Sequence, residues 1–187
     1  MISAVLDACV LYSASLRDFL LRLGRAKLFY PLWSEKIHEE WIRSLRRNRP
    51  DLLPERLERT RRKMDTEFPD SLILGFGEII PSLNLPDLKD RHVLAAAIHA
   101  KAPLIVTFNL TDFPESALAS YGIKAISPDE LVSRLIDYDA EGLLNAVARH
   151  RAALTRPSKT VKEYLATLEK QGLTLTVAFL RKHESDI

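Results

Sequence analysis

Carboxylates recur in this chain where an apolar run stops or a helix begins. Asp7 closes "ISAVLD", Glu40 lies in "WSEKIHEEW", Asp87 and Asp90 open "PDLKDRHVLAAAIHA", and Asp112 follows "APLIVTFN". Acids gathered in one place repel, and at least one stays protonated unless a cation compensates. A donor set made of oxygens, without a Cys or His cluster, favours Mg2+ or Mn2+ over zinc. Such an ion keeps several waters and takes few protein carboxylates, which leaves room for a phosphate oxygen and an activated water. The four acids Asp7, Glu40, Asp90 and Asp112 could hold one ion or two. Each also has a plainer reading. Asp87 is placed to cap its helix, Asp90 to complement a helix dipole, and Asp7, Asn109 and Asp112 to form turns. Their joint placement carries the argument, not any one of them.

Those acids need elements to position them. "ISAVLD" reads as a buried strand over residues 2–6. "SLRDFLLRLGRA" has Leu16, Phe19, Leu20 and Leu23 at helical spacing, with Gly24 suited to a left-handed cap. "KLFYPLW" reads as a second strand. Ser34 then caps a helix whose inward stripe is Ile37, Trp41 and Leu45. Glu40 falls on the flank of that stripe, and Glu39 points further toward water. A further helix carries Leu53, Leu57, Met64 and Phe68 on one side. "SLILGF" reads as a third strand, residues 103–108 as the clearest strand, and "IKAIS" as the last. Strands alternating with helices predict a parallel sheet covered on both faces. Ligands of such sheets bind beyond the carboxyl ends of the strands. If strands 1 and 4 are neighbours, Asp7, Asn109, Asp112 and Asp90 meet there.

The 187 residues, 47% hydrophobic, suit one domain with a sizeable core and a short appendage. No apolar run reaches the roughly 18 residues of a spanning helix. "MISAVLDACV" begins as a strand begins, without a basic leader. The single cysteine, Cys9, excludes an internal disulfide and points to a reducing, cytoplasmic setting. It is expected to be a small core residue. The net charge of +2 hides an arginine-dense segment, "RSLRRNRPDLLPERLERTRRK". The tail contains two capping boxes, Ser127 with Glu130 and Thr160 with Glu163. "TRPSK" breaks it, and "LTLTVAFLRKH" can be read as helix or strand. The expected organisation is a main domain over residues 1–138 and a helical extension over residues 139–187 packed on it.

"AVLDACVLYSA", "WSEKIHEEW", "LPDLKDRHVLAAAIHAKAPLIVTFNLTDFP" and "YGIKAISPDEL", in that order and spacing, resemble a PIN-domain ribonuclease. The subgroup they resemble is the VapC-type toxin of bacterial toxin–antitoxin pairs. The resemblance covers roughly residues 1–138. It implies an α/β three-layer sandwich with a central parallel sheet in the order 3-2-1-4-5, to which this chain adds the C-terminal helical extension. It also implies an acidic pocket that binds Mg2+ or Mn2+ and cuts single-stranded RNA. Asp7 matches the acid after the first strand, Glu40 the helix glutamate six residues after the serine, and Asp90 the acid of the D-x-x-D helix start. Asp7 and Asp90 are the expected metal ligands. Asp87, Thr107 and Asn109 are supporting residues. Many members carry an acid where Asn109 stands, so either Asn109 or Asp112 can approach the metal.

The expected reaction is metal-assisted phosphodiester hydrolysis with water as nucleophile, which needs no Ser–His or Cys–His pair. The five histidines, 38, 92, 99, 150 and 183, are scattered, and His92 is expected on a helix surface. An acidic pocket repels RNA, so basic side chains must hold the backbone, with Arg43, Arg46 and Arg47 foremost. Trp33, Trp41, Tyr30 and Phe108 are candidates for stacking on bases, though each also suits the core. The family implies a cognate antitoxin that covers the pocket, and it admits a homodimer. The main alternative is a catalytically weak or inactive PIN-type protein that binds RNA without cutting it. A haloacid-dehalogenase-type enzyme would need an acid where Cys9 stands. A receiver domain would need an adjacent acidic pair and a late lysine, and no convincing match for them is found.

Overall fold

A computed structural model describes all 187 residues. The strands are β1 (Ser3–Leu6), β2 (Tyr30–Ser34), β3 (Leu72–Ile73), β4 (Leu104–Val106) and β5 (Lys124–Ile126). The helices are α1 (Ala8–Tyr12), α2 (Ala14–Arg25), α3 (Glu35–Asn48), α4 (Pro54–Glu67), α5 (Arg91–His99), α6 (Glu115–Leu118), α7 (Pro128–Ala153), α8 (Val161–Glu169) and α9 (Thr174–Leu180). The chain forms two compact units. One comprises residues 2–12 and 31–126, and the other Met1 with residues 13–30 and 127–187.

The first unit is built on a five-stranded sheet in the order β3-β2-β1-β4-β5, the order expected. The pairs β1–β4, β2–β3 and β4–β5 are parallel. Ala4, Val5 and Leu6 are buried without a break, as are Leu104, Ile105 and Val106. Successive strand side chains point to opposite faces, so unbroken burial means that both faces are covered. β1 is central. Chain connections leave it toward β2 and β3 on one side, while β4 and β5 lie on the other. The crevice at the carboxyl ends of β1 and β4 is therefore the switch point of the sheet. α3 begins at Ser34, whose hydroxyl accepts from the Ile37 amide at 3.3 Å. Its stripe of Ile37, Trp41 and Leu45 is buried.

Three local expectations shift. β3 is only two residues long, because Leu74 turns outward and Gly75 adopts a left-handed φ of 79°. Leu53 is 68% exposed and does not join Leu57, Met64 and Phe68 in the core. It stands at the N-cap of α4, one residue before Pro54, and so lies outside the helical phase. Gly24 does not end α2, which continues to Arg25. The left-handed residue is Lys27, with φ 60°.

The second unit is helical. Leu16, Phe19 and Leu23 of α2, Leu131, Leu135 and Val147 of α7, Leu165 and Leu168 of α8, and Val177 and Leu180 of α9 form its core. Ser127 caps α7, its hydroxyl accepting from the Glu130 amide at 3.1 Å. Glu130 turns away to Arg134 instead of closing the box. At Thr160 the box is closed in both directions. α7 departs from helical geometry at Asp139, whose carboxylate accepts from the Gly142 amide at 2.8 Å and so restarts the helix. "LTLTVAFL" is helical and begins against Asp129, which accepts from the amides of Leu175 and Thr176 at 2.8 and 2.9 Å and from the Thr176 hydroxyl at 2.7 Å. His150 is buried between Asp18 and Tyr164, at 3.0 and 2.9 Å. That bond, the first of several causes, holds the Asp18 carboxyl below its ordinary range. No helix is long and apolar enough to cross a membrane.

Candidate active site

The register of β1 against β4 sets the floor of the site. Leu6 pairs with Val106, so the next residues, Asp7 and Thr107, emerge side by side. The Asp7 amide still donates to the Val106 carbonyl at 3.0 Å, which holds the acid on the sheet before α1 begins. Asp7 is 6% exposed. One of its carboxylate oxygens accepts from the Ala8 amide at 2.6 Å, the other from the Thr107 hydroxyl at 2.7 Å and the Cys9 thiol at 3.1 Å. Charge-assisted bonds of this kind orient a buried carboxylate. The Thr107 hydroxyl in turn accepts from the Asn109 amide at 3.0 Å, tying the turn after β4 to the same point.

Asp87 and Asp90 divide the labour that their sequence left open. Asp87 caps the turn before α5, its side chain accepting from the Lys89 amide at 2.8 Å. Asp90 occupies the N-cap position of α5, yet its side chain makes no capping bond and is left for other work. Burial raises its pKa from 3.8 to about 6, and the charges of Asp7, Asp87, Asp112 and Glu40 add to the effect. All four acids thus act on Asp90 at once. Asn109 lies in the exposed turn, and its carbonyl accepts from the Asp112 amide at 3.1 Å.

Glu40 reaches this surroundings from α3, with Glu39 exposed beside it. Its two carboxylate oxygens lie 3.0 and 3.1 Å from Nε2 of His92. His92 is wholly buried, not on a helix surface as expected. The signal was present in its setting: "HVLAAA" is a run of apolar and small residues, all buried in α5. Cys9 is the second residue whose place sequence reasoning missed. It is half-buried against Asp7, Thr107 and the Phe108 amide, not in the core. Burial, and then the Asp7 charge, push its thiol up to about 12, so it is an inert neighbour and not a nucleophile.

No three side chains are drawn into a closed coordination cage. The donor set is nonetheless hard oxygen, with one carboxyl raised by burial and by the charges beside it, and this fits a small divalent cation that retains most of its waters. Asp7 and Asp90 are the residues that would hold it.

The surface around the acids is selective. Arg43, Arg46 and Arg47 are exposed along α3. Arg49 is taken by Asp51 at 2.7 Å, and Arg61 by Glu35 at 2.5 Å. Of the four aromatic candidates, Trp33 and Trp41 are core residues. The Trp33 indole donates to Asp65 at 2.9 Å and that of Trp41 to His38 at 3.0 Å. Tyr30 is half-buried, and Phe108, beside Thr107, is 46% exposed.

A parallel sheet with acids converging on its switch point defines an α/β protein with an acidic cluster at the carboxyl ends of its central strands. The chain belongs to the PIN-domain family: the PIN domain profile matches residues 3–111. A second profile, described as the VapC50 C-terminal domain, matches residues 128–182. The chain is 37% identical over 97 residues to a curated protein of Mycobacterium tuberculosis (strain ATCC 25618 / H37Rv) named "Putative ribonuclease VapC50". That match covers 52% of this chain and 57% of the relative, which is less than two thirds of the relative's length. No solved structure matches the chain.

Proposed function

We propose that this chain is a divalent-metal-dependent endoribonuclease acting in the cytoplasm as the toxin of a toxin–antitoxin pair. The observation that carries this reading is the half-buried Asp90 carboxyl, raised to about 6 first by burial and then by the charges of Asp7, Asp87, Asp112 and Glu40. Crowded acids at a switch point are costly to the fold, and a cation there offsets the cost. The relative's name as a ribonuclease and the PIN-domain match support the choice of RNA. Residues 1–138 contribute every group of the proposed centre, and residues 139–187 form an extension to it.

In this reading Asp7 presents a carboxylate already oriented by Ala8, Thr107 and Cys9. Asp90, whose charge is costly without a partner, would join Asp7 in holding the cation, Mg2+ or Mn2+. When bound, the cation supplies Lewis-acid polarisation of a phosphate oxygen and a water of lowered pKa. Glu40 and Asp112 would be the acids available to accept a proton from the attacking water. Arg43, Arg46 and Arg47 hold the RNA backbone by charge, and Phe108 offers a ring to a flanking base. An antitoxin carrying a basic side chain would cover the same acids, and a homodimer would present two such pockets.

The test is cleavage of single-stranded RNA with Mg2+ or Mn2+ by wild type and Asp7→Asn. The expected result is metal-dependent cutting by the wild type alone. Equal cutting by both proteins removes the enzymatic claim. RNA binding without metal-dependent cutting turns the reading to a binding-only PIN protein.

A further inference from the structure

We propose that His92 is a positioning residue for Glu40: its imidazole, wholly buried in α5, holds the Glu40 carboxylate in place through Nε2. This role rests on the divalent-metal reading above. Nε2 lies 3.0 and 3.1 Å from the two Glu40 oxygens. A carboxylate offers only acceptors, so Nε2 carries a proton. The other ring nitrogen, Nδ1, is sealed from solvent and has no hydrogen-bond partner.

Nε2 sits almost equally far from both Glu40 oxygens and so restrains the whole carboxylate. Glu40 would thus be held in one place relative to Asp7 and Asp90, the residues that would carry the cation. The restraint is needed, because Glu40 has three rotatable bonds, is 26% exposed in its side chain, and is repelled by the other acids. His92 itself cannot drift, being wholly buried in the first turn of α5.

The experiment compares wild type, His92→Gln, His92→Leu, Glu40→Gln and the double variant His92→Leu/Glu40→Gln. Mn2+ binding is read by electron paramagnetic resonance without RNA, folding by circular dichroism, and turnover separately as kcat and KM. His92→Leu is expected to weaken Mn2+ binding about 10–100-fold, as lost outer partners of ligands do. It should lower kcat and leave KM for RNA unchanged. Glutamine, which can donate from a similar reach, is expected to restore affinity to within about threefold of wild type. The double variant should lose little beyond Glu40→Gln alone, since the two residues act as one.

Wild-type Mn2+ affinity in a folded His92→Leu overturns the role, as do failed rescue by glutamine and strictly additive losses. Nitrogen-15 NMR of the wild-type histidines needs no variant. It is expected to show an Nε2–H of His92 protected from solvent exchange, and the absence of that protected proton overturns the proposal even if a variant fails to fold. A wild type that binds no Mn2+ overturns the function and this role together. Wild-type binding that is indifferent to His92 overturns this role alone.

Discussion

Replacing Asp90 with asparagine should stabilise the metal-free protein at neutral pH while destroying its use of metal. The shape of Asp90 is kept, but the charge is removed from a half-buried place beside Asp7, Asp87, Asp112 and Glu40. The folded carboxyl has been raised from 3.8 to about 6. A raised acid contributes most to stability below its unfolded value, and that contribution is lost as pH rises through about 6. At pH 7.5 the wild type therefore carries the whole cost of an ionised Asp90, and at pH 4, just above the unfolded value, it carries only a small part of it. The rise from 3.8 to about 6 bounds the cost near ~3 kcal/mol, and solvent screening at this partly open site reduces it to about 1–2 kcal/mol. For a chain of this size that corresponds to a melting temperature higher by about 3–6 °C. The assay is thermal unfolding of both proteins in chelator at pH 7.5 and pH 4. The difference between them isolates Asp90 from other titrating groups. Saturating Mn2+ should reverse the order, because only the wild type gains the full stabilisation of a bound ligand. An Asp90→Asn protein no more stable than wild type at pH 7.5 refutes the reasoning. So does one stabilised equally at both pH values, since the advantage would then not come from charge.

Two further expectations concern the RNA surface and the helical unit. Replacing Arg43, Arg46 and Arg47 together with alanine should weaken binding of single-stranded RNA regardless of sequence and flatten the log–log salt dependence by about 2, measured by fluorescence anisotropy over a salt series. An unchanged slope would remove these arginines from the RNA path. Asp129→Ala strips the acceptor from two amides and one hydroxyl at the start of α9. It should destabilise by about 1–3 kcal/mol in denaturant unfolding, with Asp129→Asn losing less because one oxygen remains.

Much of this molecule is legible one residue at a time because the causes are local. Ser34 and Thr160 cap their helices because a side-chain oxygen next to a free amide depends only on the adjoining turn. The unbroken apolar residues of β1 and β4 announce strands covered on both faces. The alternation of strands with helices, joined to the motif resemblance, gives the strand order 3-2-1-4-5. From that order follows the meeting of Asp7 with the turn after Thr107. Where a prediction depended on helical phase at an element's edge, as with Leu53 before Pro54 or Gly24 before Lys27, it slipped by a turn or less.

What folding alone decided are the contacts between residues far apart in the chain. Glu40 and His92 are 52 positions apart, and their meeting depends on how α3 and α5 are rotated, which the packing of both helices sets. The composition of "DRHVLAAA" hints that His92 is buried but not what it touches. Asp7, Cys9 and Thr107 share hydrogen bonds because β1 and β4 pair in one register, and a shift of one residue would send Thr107 to the other face. The raised Asp90 carboxyl belongs to no segment at all. The types and order of residues determined that acids stand at strand ends and helix starts. Only the tertiary structure brought them near enough for each charge to act on the others, because electrostatic energy depends on distance through space and burial, which sequence spacing does not record.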